Sequence, residues 1–495
     1  MTDRHTFSIA KLGGIITSRR WIVLFMVAFV MMMGYVFWDL ISPLSTLLIS
    51  HIEDRGMGWT AAEYGFYTGS YSVFNIFLLM LFWGGVILDR YGIRITGVLA
   101  TGAMLLGACI TYYALVMIPP TDYTDLSFTL FGLIPAHIKV QVLVAALGFG
   151  LFGMGCDITG ITVSKIVTKW FTGHELASAM GVQVAMARLG TASAISLSPL
   201  IAFYFGLSAL VLTGAIALLI AFLVFLLYLF LDRNYDRSAH QQVVQTVESN
   251  NERERFSIRD LLKVVSNPGF WIIALLCVMF YSSIRPFMKF ATDLLINKYG
   301  VANLTAGWIV SVIPYGSIIL TPLFGIVYDR IGHGARLMLI GCLLITICHG
   351  CLALPVLNNE WFALFLMLLS GVAFALVPSA MWPSVPKIIP LRQLGTAYSI
   401  IYYIQNIGLM LVPMWVGNVI DRHTVMTTGH VDYTMPMLIF FGFGLLATIL
   451  AAILIAVDKR RNYGLEQANI LPSTRIGRNA ASSQNCSGLR PGQTD

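Results

Sequence analysis

The sequence predicts an all-α membrane protein, with twelve transmembrane helices in two pseudo-symmetric six-helix bundles. Three observations predict it. Twelve stretches are apolar over about the 20 residues that a helix needs to cross the hydrocarbon. Lysine and arginine gather in alternate connecting segments. One motif recurs at the same place in each half of the chain.

Composition sets the class. Of 495 residues, 57% are hydrophobic and only 11% charged, with mean hydropathy +0.78. A soluble domain carries about 25% charged residues to cover its surface. The seven cysteines are scattered, six of them in apolar segments. Their spacing matches neither a zinc site nor a disulfide framework, so they read as buried, inert thiols.

The predicted spans are 21–49, 66–88, 97–118, 140–164, 176–204, 208–231, 270–295, 304–327, 337–356, 361–386, 394–420 and 435–457. The first is too long, and too far from a small-residue cleavage site, to be a signal peptide. Residues 1–20 read as a short basic cytoplasmic segment, 21–231 as the first bundle and 270–457 as the second. The charge-rich stretch 232–269 divides them as a cytoplasmic linker, and its end, Phe256 to Lys263, has an amphipathic pattern suited to a membrane surface. The tail 458–495 is poor in apolar residues and is expected to be disordered.

With both termini in the cytoplasm, the inside segments hold 24 Lys and Arg and the outside loops 4 (Arg55, Lys139, Lys298 and Arg422). That split follows the positive-inside rule. It also accounts for the net charge of +7 and the pI near 9.0 as topology, so no nucleic-acid partner is expected.

The repeat comes next. Gly85-Val-Ile-Leu-Asp89-Arg90-Tyr-Gly92-Ile-Arg94 stands between spans 2 and 3. Gly325-Ile-Val-Tyr-Asp329-Arg330-Ile-Gly332, followed by Arg336, stands 240 residues later between spans 8 and 9. A fainter pair is Glu175-Leu-Ala-Ser-Ala179 opening span 5 and Gln393-Leu-Gly-Thr-Ala397 opening span 11, which sets Arg188 opposite Asn406. A duplicated six-helix unit points to a transporter with its site at the midplane, between the halves.

On these residues the chain resembles the major facilitator superfamily, whose signature is this loop between helices 2 and 3. The resemblance covers about residues 20–458. It implies that Asp89 faces the start of span 11 near Gly395, and Asp329 the start of span 5 near Gly173, as a cytoplasmic latch. A carboxylate at a helix N-terminus contributes about 0.3–1 kcal/mol. The structural alternative is that Asp89 and Arg90 merely build a tight turn. Gly153-Met-Gly-Cys-Asp157, Trp170-Phe-Thr-Gly-His-Glu-Leu176, Ala185-Met-Ala-Arg188-Leu-Gly190, Met381-Trp-Pro383, Gln393 to Tyr398 and Gln405-Asn406-Ile-Gly408 resemble the branch containing the lysosomal dipeptide transporter.

A charge buried in the membrane is costly and is a functional candidate by default. Arg188 lies 13 residues beyond Glu175, about 20 Å along a helix, and its planar fork suits a carboxylate. The resemblance implies that it meets the substrate, with Asp157 beside it for an ammonium. The alternative is an Arg188–Asp157 ion pair that only joins spans 4 and 5. Asp39, after Tyr35 and Trp38 and before Pro43, reads either as cavity lining in a bent helix or as a wet residue at the outer interface. Arg285 and Lys289, one turn apart on span 7, share a face. They contact an anionic group or snorkel outward. His349 reads as a core histidine rather than a proton carrier. Asn75, Gln183, Tyr281, Trp382, Tyr402, Gln405 and Asn406 lie at mid-span depth, where hydrogen bonding between helices is the default role. Gly148, Gly150, Gly153 and Gly155 allow helices to pack closely; inside an apolar span they are no nucleotide loop.

The sequence contains no phosphate loop, metal cluster or nucleophile constellation, so neither catalysis nor a cofactor is expected. The expected function is alternating-access transport of a small zwitterionic solute, with a short peptide as first choice. An organic anion carrier and a non-transporting receptor or scaffold are the alternatives. Expected partners are the solute and membrane lipids, and the expected state is a monomer. Proton coupling through Asp39 or Asp157 stays open beside passive uniport. The short loops favour a bacterial inner membrane, with an endomembrane as the eukaryotic counterpart.

Overall fold

The computed structural model describes residues 3–52, 56–127, 129–130, 132–171, 175–240, 264–354, 359–390, 393–424 and 431–468. The Glu248–Arg255 run and the segment Phe256 to Lys263 lie outside them.

Among the described residues, ten helices are long and apolar enough to cross a membrane, and a broken pair adds an eleventh. One of the ten, Ser178–Arg233, has 56 residues. At 1.5 Å per residue it would reach about 80 Å, far beyond a bilayer. It divides at Gly206, whose φ of 84° and ψ of 167° interrupt the helix. Spans 5 and 6 lie on either side, and the total is twelve.

Spans 1 and 2 are not simple rods. The first helix, Asp3–Asp39, gives way to a 3-10 turn, Ser42–Leu44, around Pro43, and then to Ser45–Ile49. Pro43 supplies no N–H, so the bend expected there is present. Span 2 begins at Ala61, five residues earlier than the apolar run suggests, behind a capping box in which Thr60 and Glu63 satisfy each other's backbone. It passes through a 3-10 turn at Ser70–Ser72 and breaks again at Leu78 and Leu79. The remaining spans are Val140–Phe171, Pro268–Tyr299, Asn303–Ile331, Gly334–Ala353, Glu360–Ile388, Leu394–Arg422 and Thr434–Arg461, with span 3 reaching Met117. A short antiparallel hairpin, Tyr123–Asp125 with His137–Lys139, joins spans 3 and 4. An isolated antiparallel bridge, Thr424 with Val431, is a second small departure from an all-helical fold.

Both motif loops turn on their last glycine. Gly92 and Gly332 each have φ of 79°, a left-handed conformation that side chains avoid. Arg94 donates to Asp232 at the end of span 6 at 2.8 Å, and Lys169 at the end of span 4 donates to the same carboxylate at 2.8 Å. In the second half the corresponding Arg336 meets Glu466 at 3.0 Å. The chain therefore stays ordered past the expected boundary at 458. Span 12 runs to Arg461, and the residues after it fold back so that Leu465 is fully buried and Glu466 reaches His333 and Arg336.

Burial separates inner from outer spans. The core windows of spans 7, 10 and 4 are 72%, 67% and 61% buried, whereas spans 8 and 12 are 28% buried and present apolar faces outward. The halves meet at the end of the bundle remote from the motif loops. There Asp421, closing span 11, accepts from the backbone N–H of Ala61 and Ala62 at 2.7 and 2.8 Å. Spans 2 and 11 touch through backbone, because a side chain at Gly65 would strike Pro413 and one at Gly417 would strike Ala61. Thr46 donates to Asp293 at 2.6 Å, and Asn418 to the Leu133 carbonyl at 2.8 Å. At the loop end, Gly181, Gly325 and Gly395 each have open space where a side chain would stand. The described contacts between the halves thus seal the end remote from the motif loops.

Candidate functional site: a charged, aromatic chamber between the halves

Five of the expected site residues line or border one chamber from the first span onward. Asp39, at the end of the first helix, is 2% exposed and accepts from Lys289 of span 7 at 2.7 Å. The same ammonium donates to the Trp38 carbonyl and to Ser42 Oγ, both at 2.8 Å. The bend at Pro43 turns those oxygens inward, so Lys289 has three partners and is buried. The structure thus departs from two expected alternatives: Asp39 is not a wet interface residue, and Lys289 does not snorkel.

Arg285, one turn before Lys289, faces the same way. Its guanidinium stands 5.0 Å from the Trp38 ring centre and 5.3 Å from that of Phe374 on span 10. Arg188 on span 5 lies 4.1 Å over the same Phe374 ring, and its Nη1 is buried with no hydrogen-bond partner. The phenyl ring thus stands against cations from both halves.

Asp157 is not paired with Arg188. It accepts from Tyr71 Oη at 2.7 Å and Asn75 Nδ2 at 2.6 Å on span 2, and from Asn406 Nδ2 on span 11 at 3.5 Å. Gly153 lies one turn earlier against the Tyr71 backbone, where any side chain would hold spans 2 and 4 apart. Ser72 also donates to Asn406 Oδ1 at 2.6 Å. All three donors to Asp157 are neutral, and among the described residues no cation forms an ion pair with it.

A second cluster sits nearer the loop end. Trp382 stacks on Tyr402 at 5.0 Å and donates to Tyr281 Oη at 3.4 Å. Cys277 donates to Gln405 at 3.6 Å. Tyr402 is 43% exposed. Gln183 donates to Ser164 at 3.2 Å, joining spans 4 and 5. His349 is fully buried between Phe287 and Phe440, inside the second bundle rather than in the chamber.

A small pocket is lined by Trp38, Asp39, Tyr71, Arg285 and Lys289, with Leu409 and Pro413 behind. Span 2 contributes to it through Thr68 and Tyr71. The residues that sequence reasoning missed are Tyr71, Ser42, Trp38 as a ring platform, and Phe374. Tyr71 and Asn75 lie four apart, a spacing that places both on one helical face. Nothing in the sequence separates Phe374 from its apolar neighbours.

The motif residues are less fully described. The Asp89 side chain and Gly173 lie outside the described residues, Arg90 lies over Tyr91 at 5.6 Å, and a side chain at Gly395 would stand in open space.

Comparison with known proteins follows this geometry. The family model of the Major Facilitator Superfamily matches residues 24–413, and again 287–481. The lysosomal dipeptide transporter MFSD1 of Bos taurus is 27% identical over 355 residues, 70% of this chain and 69% of that one. MFSD1 of Danio rerio is 27% identical over 360 residues, covering 70% of each chain. Among solved structures, a bacterial homologue of the human lysosomal transporter Spinster, inward-facing and unoccupied, gives a TM-score of 0.65 at 12% identity. That match covers 92% of this chain and 99% of the other. A D-xylose–proton symporter gives 0.63 at 14% identity, covering 88% and 96%.

Proposed function

Because the chain belongs to the major facilitator superfamily, we propose that it carries a short peptide, or a zwitterion of similar size, across its membrane by alternating access. One observation carries the reading. Within the chamber, a carboxylate held only by neutral donors (Asp157) and a guanidinium with an unmet donor (Arg188) stand on adjacent spans. A zwitterion answers both, its ammonium to Asp157 and its carboxylate to Arg188. The curated relatives' name, lysosomal dipeptide transporter, agrees with that chemistry.

The loop end carries the basic segments, so we assign it to the cytoplasm. In that orientation the sealed end faces outward. Spans 2 and 11 form the outer seal, and Asp89 and Asp329 serve as the inner latch once the loop ends approach. The short loops suit a cell membrane, and the relatives' name suits a lysosomal one.

A second reading, an organic anion carrier, is favoured by one observation: Arg188 and Arg285 both stand against Phe374 without a carboxylate between them. A ligand-stabilisation screen on purified protein separates the two, since a binder raises apparent stability by mass action. Dipeptides are expected to raise the melting temperature more than monocarboxylates or organic phosphates of equal concentration. The reverse order replaces the first reading with the second.

A further inference from the structure

The two chamber arginines are held in an unusual way. Buried guanidiniums ordinarily pair with carboxylates, and the lysine beside them does so with Asp39. Among the described residues, neither Arg188 nor Arg285 takes part in an ion pair. Each lies against rings instead. Arg188 is 4.1 Å and Arg285 5.3 Å from the centre of Phe374, and Arg285 is also 5.0 Å from Trp38 and 5.9 Å from Tyr35. Phe374 is 1% exposed, so its ring is fixed by packing.

The difference matters chemically. A carboxylate partner would neutralise the guanidinium and occupy its N–H edge. A ring face attracts the cation through its quadrupole and contacts the plane. The five N–H donors lie around the edge of that plane and stay available. Arg188 Nη1, buried without a partner, is such a donor. An unmet buried donor is costly until a ligand supplies an acceptor.

The ring also joins the halves. Phe374 is on span 10 and Arg285 on span 7, whereas Arg188 is on span 5 and Trp38 on span 1. A ligand carboxylate bound at this edge therefore bears on the interface that rocks.

The geometry points to Phe374 as a positioning residue for the bound carboxylate, a role that rests on the peptide reading above. Its ring holds both guanidiniums without supplying an acceptor, and so leaves N–H donors to the ligand. The selected class is a solute with a free carboxylate. A peptide whose C-terminus is amidated has no anion to place there.

The test is to substitute Phe374 with phenylalanines carrying one, two and three fluorines, which keep the ring's shape but progressively weaken the charge on its face. Affinities of alanyl-alanine and of butyrate are read from stabilisation of the purified full chain. Alanyl-alaninamide is the control. Both carboxylate probes should weaken stepwise, to roughly 10-fold at three fluorines, while the unliganded melting temperature stays level. Phe374→Tyr should retain binding, Phe374→Leu should lose it, and the amide should not bind any form. Equal affinity across the fluorine series overturns the role, because a ring that only fills space would give that result. If wild type binds butyrate but no dipeptide, the peptide reading fails and the butyrate series still decides for Phe374. If it binds neither probe, both proposals fall.

Discussion

Lys289 Nζ donates to Asp39 Oδ1 at 2.7 Å, an ion pair that crosses from span 7 to span 1 and so from one half to the other. Its side chains are 9% and 3% exposed. Pairs this buried gain little net stability, because desolvation offsets most of the attraction, yet removing one partner strands the other charge. Lys289→Ala alone should therefore destabilise the protein by about 3–5 kcal/mol. The double variant Asp39→Leu, Lys289→Met should recover most of that loss. Melting temperatures of the three forms in detergent check this. A double variant no more stable than the single one would mean that the pair does more than balance charge.

Asp421 makes a second join, as a carboxylate of span 11 that caps the N-terminus of span 2. A charge so placed contributes about 0.3–2 kcal/mol when partly buried. Asp421→Ala removes the acceptor and should shift the population toward outer opening by up to about 30-fold. Spin labels at His51 and Asn303, both exposed near the sealed end, would then report a longer distance distribution. An unchanged distribution would show that the seal does not depend on this cap.

The glycines of that seal make a parallel prediction. Gly417 packs against the Ala61 backbone, with no room for a side chain. Gly417→Leu should prise spans 2 and 11 apart, at a cost of about 1–3 kcal/mol for overpacking. Uptake should fall and the outer end become reactive to membrane-impermeant thiol reagents at an engineered His51→Cys. Gly395→Ala, at a position with open space around it, is the control and should be close to neutral in the sealed-end state.

At Asp157 the neutral partners allow a charge test with little structural cost. Asp157→Asn keeps the size and one acceptor for Tyr71 or Asn75, but cannot pair with an ammonium. A charged hydrogen bond contributes about 1.5–3 kcal/mol, so dipeptide affinity should fall roughly 10- to 100-fold. N-acetylated peptides, which lack the ammonium, should lose far less. Equal losses for both ligands would place Asp157 in the scaffold and not at the substrate.

Much of this architecture is legible in the sequence because lipid imposes simple length and polarity rules. The twelve spans, the 240-residue repeat and the depth of Arg188 follow from counting. The motif glycines are legible too, since Gly92 and Gly332 take the left-handed turn that glycine permits. The start of span 2 is legible as well, because Thr60 and Glu63 form a capping box ahead of the apolar run. Other features lie beyond local pattern. Asp39 finds Lys289 across 250 positions, and no periodicity links residues on different spans. Phe374 looks like any core phenylalanine until the two guanidiniums are placed around it. The tail misleads by composition, because one buried leucine and one glutamate, Leu465 and Glu466, are enough to dock its first residues.

Counting a labelled dipeptide into proteoliposomes, for wild type and Arg188→Ala side by side, tests the transport mechanism most directly. Wild type should take up the label saturably. Arg188→Ala, reconstituted to the same level, should lose at least about 10-fold, the loss expected when a charged contact to the ligand is removed. Equal uptake by the two proteins would take the guanidinium of span 5 out of the binding site, and the zwitterion reading with it.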